Sequence, residues 1–126
     1  MGFYDDEKTA NQYITMAEGY DGLELVEALR IHLPDGGSVL EIGMGPGVDL
    51  QMLKKHYQVT GSDNSQFFLD RYRKSDPDAD LLCLDAVELD TDRIFDGIYS
   101  NKVLHHFTDD ELTKSLQRQR AILSST

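Results

Sequence analysis

The chain has 126 residues, a formal net charge of −11, a hydrophobic fraction of 40% and a charged fraction of 28%. That balance describes one globular domain rather than a disordered chain. Its acidity weighs against nucleic acid as a partner, because binding a polyanion draws on clustered Lys and Arg. No apolar run nears the roughly 20 residues that span a bilayer, and the acidic start MGFYDDEKTA lacks an apolar signal core. A cytoplasmic setting without membrane contact is expected. Cys83 is the only cysteine, so an internal disulfide or a cysteine-built metal site is excluded, and within DLLCLD it reads as a buried strand thiol.

Residues 1–126 read as a single domain, with a helical cap over residues 1–36 and a βαβ core over residues 37–126. DEKTANQYITMAEGY predicts a first helix ending near Gly19. Asp21 and Glu24 have capping-box spacing for a second, GLELVEALRIHL, with Leu25, Leu29 and Leu33 on one face and Pro34 as its stop. An alternation follows. SVLEI is a short apolar strand, and GVDLQMLKKHY has helical spacing at Val48, Met52 and Leu53, with Leu50 fitting weakly. QVTGS is a second strand, SQFFLDRYRKS a helix closed before Pro77, DLLCL a third strand and FDGIYSN a fourth. Thr108 and Glu111 then form a capping box for DDELTKSLQRQRAIL. Strands alternating with helices imply βαβ units, an α/β fold and a parallel sheet with right-handed crossovers.

Between the first strand and its helix stands GMGPG, with Gly43, Gly45 and Gly47 alternating. An ordinary strand–helix turn needs one glycine. Three remove the Cβ atoms that keep a ligand away from the backbone, so the turn reads as a ligand site. A P-loop requires a glycine, four intervening residues and then Gly-Lys-Ser/Thr; counted from Gly43, Val48 and Asp49 do not supply it. The dinucleotide pattern G-x-G-x-x-G needs a glycine where Val48 stands, which leaves an NAD-dependent enzyme as a runner-up.

The pattern E-x-G-x-G-x-G in EIGMGPG resembles the first motif of class I S-adenosylmethionine-dependent methyltransferases. VTGSDNS, LCLDAVEL and FDGIYSNKVLHHF resemble the motifs at the ends of that family's second, third and fourth strands, in the same order. The resemblance runs from about Tyr13 to Leu123 and implies a Rossmann-like, three-layer αβα fold. It implies that Glu41, Gly43, Gly45 and Gly47 line the cofactor. It further implies that Asp63, with Asn64 beside it, grips the ribose hydroxyls, and that Asp85 and Ala86 meet the adenine. Charge chemistry agrees, since a sulfonium nucleoside carries no phosphate and suits an acidic site. A carboxylate can accept two hydroxyls or an exocyclic amine.

Tyr13 is the preferred aromatic of the cap for touching the cofactor's carboxylate end, with helix packing as the alternative for it and for Tyr4 and Tyr20. Asn101 ends the fourth strand and is a candidate to touch the cofactor, to orient a methyl acceptor or to cap the following turn. His105 is a candidate for acid–base work, with packing as the alternative. Adjacent His105 and His106 point about 100° apart on a helix, so no metal site is expected. Asn101 is not followed by the Pro-Pro-aromatic sequence of base-modifying methyltransferases, and the expected acceptor is a small molecule.

The family's sheet has seven strands in the order 3-2-1-4-5-7-6. This chain supplies four, in the order 3-2-1-4, which reads as an abbreviated domain or the N-terminal portion of a longer one. Loss of the fifth strand leaves the fourth as a bare edge, and such an edge pairs readily with another chain. A homodimer through it is expected. A non-catalytic module that binds the cofactor or a partner is the alternative to an enzyme.

Overall fold

The computed structural model describes residues 22–101 and 103–124, apart from the side chain of His105. Helix α1 (Gly22–His32) is followed by strand β1 (Ser38–Ile42), helix α2 (Val48–Lys54), strand β2 (Gln58–Asp63) and helix α3 (Gln66–Ser75). Strands β3 (Leu81–Cys83) and β4 (Gly97–Ser100), a 3₁₀ turn (Leu104–His106) and helix α4 (Asp109–Ile122) complete the order. The strands pair in parallel as β3-β2-β1-β4, the order expected from the sequence. The first helix, the Asp21 cap and Tyr4, Tyr13 and Tyr20 lie outside the described residues.

β1 is central because SVLEI can bury both faces, as an inner strand of a parallel sheet must. Val39 lies opposite Val59 and Gly97, and Glu41 opposite Gly61 and Tyr99. Side chains alternate along a strand. Val39 and Tyr99 therefore pack with Val26 of α1, Leu53 of α2 and Tyr57 on one face. Leu40 and Ile42 turn to the other face and meet Leu89, Phe95 and Ile122 of α4. A third cluster, with Leu50, Leu69, Tyr72 and Leu81, seats α2 and α3 over β2 and β3. The sheet thus lies between α1, α2 and α3 on one face and α4 on the other, three layers in all. Thr108 caps α4 through a complete capping box with Glu111, a device that stabilises a helix by about 1 kcal/mol.

Three expectations change. Val48, read as part of the apolar stripe, is 66% exposed, while Leu50 is the residue driven into the core. The helix begins only at Val48, after the left-handed Gly47, and this rotates Leu50 and Leu53 inward. Cys83 is exposed rather than buried, because β3 is the outermost strand and Cys83 is its last residue. The outer edge of β4 is bare only in part. The Phe95 N–H donates to the Ile122 carbonyl at 2.8 Å and the Ser124 N–H to the Phe95 carbonyl at 2.8 Å. Phe95 thereby bridges Leu123 in parallel, and Gly97–Ser100 is the uncovered stretch among the described residues. Among the described residues, no helix is long and apolar enough to cross a membrane.

Candidate functional site

The glycine turn sits at the C-terminal end of β1, beside the ends of β2 and β4. Gly43, Gly45 and Gly47 all have positive φ, at +68°, +52° and +92°. At Gly47 a Cβ would run into the Tyr72 ring, so α2 and α3 could not approach as they do. At Gly45 a Cβ would meet no atom of the described residues within 4 Å. Among the described residues its bare backbone is left uncovered, as a cradle for a ligand requires.

Asp63, at the end of β2, ties that cradle to its neighbour. It is 9% exposed, and its Oδ2 accepts the Gly45 N–H at 3.0 Å while Oδ1 accepts the Ser65 N–H at 2.9 Å. The Met44 N–H donates to the Ser62 carbonyl at 2.8 Å, and Ser62 Oγ donates to the Glu41 carbonyl at 2.7 Å. The turn is therefore held against β2 from three sides. A carboxylate oxygen has two acceptor positions, so each Asp63 oxygen keeps one for a further donor. Asn64, next in the chain, is exposed.

Glu41 is only 2% exposed, and no described residue donates to its Oε1. Burial, with the Asp49 and Asp63 carboxylates nearby, pushes its carboxyl up to about 8. A buried carboxyl without a donor is costly unless a ligand or water completes it.

Asp85 lies beyond β3 and begins a tight turn. Its Oδ1 accepts the N–H groups of Val87 and Glu88 at 2.8 and 3.0 Å, and Oδ2 takes no donor from the described residues. Leu89, which ends the turn, holds a left-handed φ of +43° although it is not glycine. Such a backbone costs roughly 1–2 kcal/mol, offset here by complete burial of the side chain. Helix α4 locks the same turn. Ser115 Oγ donates to the Ala86 carbonyl at 2.7 Å, and Arg118 donates to the Glu88 and Leu89 carbonyls at 3.1 and 3.2 Å.

At the end of β4, Asn101 Nδ2 donates to Asp49 Oδ2 at 2.9 Å, and the Tyr99 hydroxyl donates to the same oxygen at 2.8 Å. Burial, then Asp49, raises the Tyr99 phenol far above its ordinary range and keeps it a donor. His105 falls within the 3₁₀ turn Leu104–His106, with its side chain outside the description, and Tyr13 lies outside altogether.

Glu41, the three glycines, Asp63 and Asn101 thus come together, with Asp85 and Ala86 one strand further out. Asp49, Tyr99, Ser115 and Arg118 were not among the candidates. In the sequence Asp49 stands out only as a residue that fails the P-loop pattern, and no spacing rule links residues 50 positions apart. An unsatisfied buried carboxyl, an open glycine face and spare acceptors on Asp63 and Asp85 suit a ligand that is cationic and rich in hydroxyl and amine donors.

The opposite end of the sheet offers a different kind of space. A groove of about 320 Å³ opens there, lined by Lys54, Tyr57, Tyr72, Asp76 and Asp80 among others. Three of its charged residues are held in Lys54–Asp76 and Arg93–Asp80 ion pairs, each at 2.6 Å. Arg93 holds the Asp80 carboxyl below its ordinary value. Among the described residues, no three His, Cys, Asp or Glu side chains are grouped to hold a metal.

A family model described as "Methyltransferase domain" matches residues 39–126. Trans-aconitate 2-methyltransferase of Enterobacter sp. (strain 638) is 31% identical over 83 residues, which cover 64% of this chain and 33% of that protein. CalS10, an amino pentose methyltransferase from Micromonospora echinaspora with S-adenosylmethionine bound, superposes with a TM-score of 0.73 at 20% identity, covering 91% of this chain and 52% of that one. The 1,6-didemethyltoxoflavin-N1-methyltransferase of Burkholderia thailandensis, with S-adenosylhomocysteine bound, gives 0.67 at 26% identity, covering 81% and 47%. The chain spans between a third and about half the length of these relatives.

Proposed function

Because this chain belongs to the methyltransferase domain family, we propose that it forms the cofactor-binding part of an S-adenosylmethionine-dependent methyltransferase. The observation that carries this is the join between Asp63 and Gly45. It places an acid with spare acceptors at the rim of an open glycine cradle, where ligands of parallel sheets bind. When bound, the cofactor supplies an electrophilic methyl group, which an acceptor nitrogen, oxygen or carbon displaces from sulfur in line.

The chain's own contribution is positioning and exclusion of water. Asp63, with Asn64 beside it, accepts the ribose hydroxyls. Asp85 Oδ2 takes the adenine amine, with Ala86 alongside the ring. Gly43, Gly45 and Gly47 admit the ligand to the backbone. Glu41, lacking a donor on Oε1, completes its hydrogen bonding with the cofactor's ammonium or a water beside it. Asn101, fixed by Asp49, stands where an acceptor would be oriented. Tyr13 and His105 remain candidates for the carboxylate end and for proton transfer.

The acceptor in this reading is a small molecule, because the net charge of −11 repels polyanions. The methyltransferases above that are named for an amino pentose and for didemethyltoxoflavin support the same class. The setting is cytoplasmic, since an exposed lone thiol at Cys83 suits a reducing compartment. The outer edge of Gly97–Ser100, uncovered among the described residues, supports a homodimer that extends the sheet; sedimentation at high micromolar concentration that finds only monomer removes this part.

Calorimetry with S-adenosylmethionine, S-adenosylhomocysteine and NAD tests the reading. Binding of both sulfur compounds and not of NAD is expected. NAD binding without either sulfur compound would overturn it. Cofactor binding with no methyl transfer to a panel of small acceptors would point to a non-catalytic module instead.

A further inference from the structure

We propose that Asp49 selects for positive charge at the methyl-donor end of the site, favouring S-adenosylmethionine over its demethylated product. The proposal rests on the cofactor reading above and adds to it a residue that the glycine motif does not contain.

Asp49 is half-buried in the first turn of α2. Both of its described donors, the Tyr99 hydroxyl and the Asn101 amide, are neutral and converge on Oδ2. No described Lys, Arg or His pairs with it. Among the described residues, its charge is thus aimed by hydrogen bonds and not paired with a counter-ion. Space for Oδ1 is kept by Gly22, where a Cβ would collide with the Asp49 carboxylate. A second, independent observation is Glu41, in register with Tyr99 on the same face of the sheet, 2% exposed and with no donor to Oε1. Among the described residues, this end of the site gathers the Glu41 and Asp49 carboxyls with no ion pair to a Lys, Arg or His.

The order of strands says which part of the ligand lies there. With adenine at the end of β3 and ribose at the end of β2, the sulfur attached to the ribose continues toward β1 and β4. Asp49, Tyr99 and Asn101 stand at that end. The two sulfur compounds differ only by one methyl group and one positive charge, so their affinity ratio reads the field at this point and little else. An uncancelled carboxylate acting through a partly hydrated path shifts such a ratio by about five- to tenfold.

Calorimetry on the wild-type chain and Asp49→Asn tests this, using S-adenosylmethionine, S-adenosylhomocysteine and an analogue with a protonated amine in place of the methylated sulfur. The variant keeps the shape and an oxygen to accept from Tyr99. It is expected to lose about five- to tenfold affinity for both cations and to bind S-adenosylhomocysteine unchanged. Asp49→Ser, smaller and also neutral, gives the same comparison if the amide variant does not fold. An unchanged ratio, or equal weakening of all three ligands, would overturn the proposal. Failure of the wild-type chain to bind either sulfur compound would overturn the cofactor reading and this inference with it.

Discussion

The carboxylate of Asp63 and the backbone N–H of Gly45, 18 residues apart, meet at 3.0 Å. One residue thereby shapes the glycine turn and presents acceptors at its rim. Asp63→Ala removes both functions, and ligand affinity should fall by tenfold or more, the loss typical of a charge-assisted hydrogen bond. Asp63→Asn can still accept from Gly45, so it should keep more of the fold's stability while losing much of the affinity. Paired calorimetry and thermal melts of the two variants check this.

Glu41 predicts a pH dependence of stability. Its folded carboxyl holds its proton up to about 8, against an ordinary value of 4.5. Between those values the native state carries a proton that the unfolded state has lost, so stability declines as pH rises through this window. Glu41→Gln removes the titrating group. The variant should show a flatter profile and exceed the wild type above pH 8 by up to a few kcal/mol, an order-of-magnitude figure. Urea unfolding at several pH values measures it, and parallel curves for the two proteins would contradict the assignment.

Gly47→Ala should be strongly destabilising. The position has φ +92°, and a Cβ there strikes the Tyr72 ring. Left-handed strain and displacement of a core aromatic together imply a loss of about 2–4 kcal/mol. Gly45→Ala shares the strain but has open space. It should cost about 1–2 kcal/mol of stability and impair ligand binding more than folding. Denaturant midpoints set against ligand affinities separate the two positions.

Ser115→Ala tests whether α4 supports the turn beyond β3. Its hydroxyl is fully buried and is a hydrogen-bond donor to the Ala86 carbonyl. Removing it should cost roughly 1–2 kcal/mol and weaken ligands that carry adenine more than it weakens methionine-like fragments. Equal effects on both would limit Ser115 to stability.

The parts of this molecule that were legible in the sequence are those written in short range. SVLEI forms β1 over the residues expected, because an apolar run bounded by glycines leaves few alternatives. Thr108 and Glu111 cap α4 as their spacing predicts. The strand order and the grouping of Glu41, Gly45 and Asp63 were implied by the resemblance that the short motifs carry. What escaped depends on contacts between distant segments. Cys83 is apolar in context yet exposed, since only the assembled sheet makes β3 an edge. Val48 fits a helical stripe, but the left-handed Gly47 sets the phase of α2. The convergence of Tyr99 and Asn101 on Asp49 spans 50 residues or more and leaves no periodic trace. The pairing of Phe95 with Leu123 likewise appears only once α4 has packed.

The central claim is that a cofactor nucleoside lies across the C-terminal ends of the strands, in the cradle of Gly43, Gly45 and Gly47. A two-dimensional amide NMR titration with S-adenosylhomocysteine tests it most directly. The account predicts shifts concentrated at Gly43–Val48, Asp63–Ser65 and Asp85–Val87, with Tyr57, Gln58 and Asp76–Asp80 at the opposite end of the sheet unmoved. Shifts confined to that opposite end, with the glycine turn silent, would contradict it.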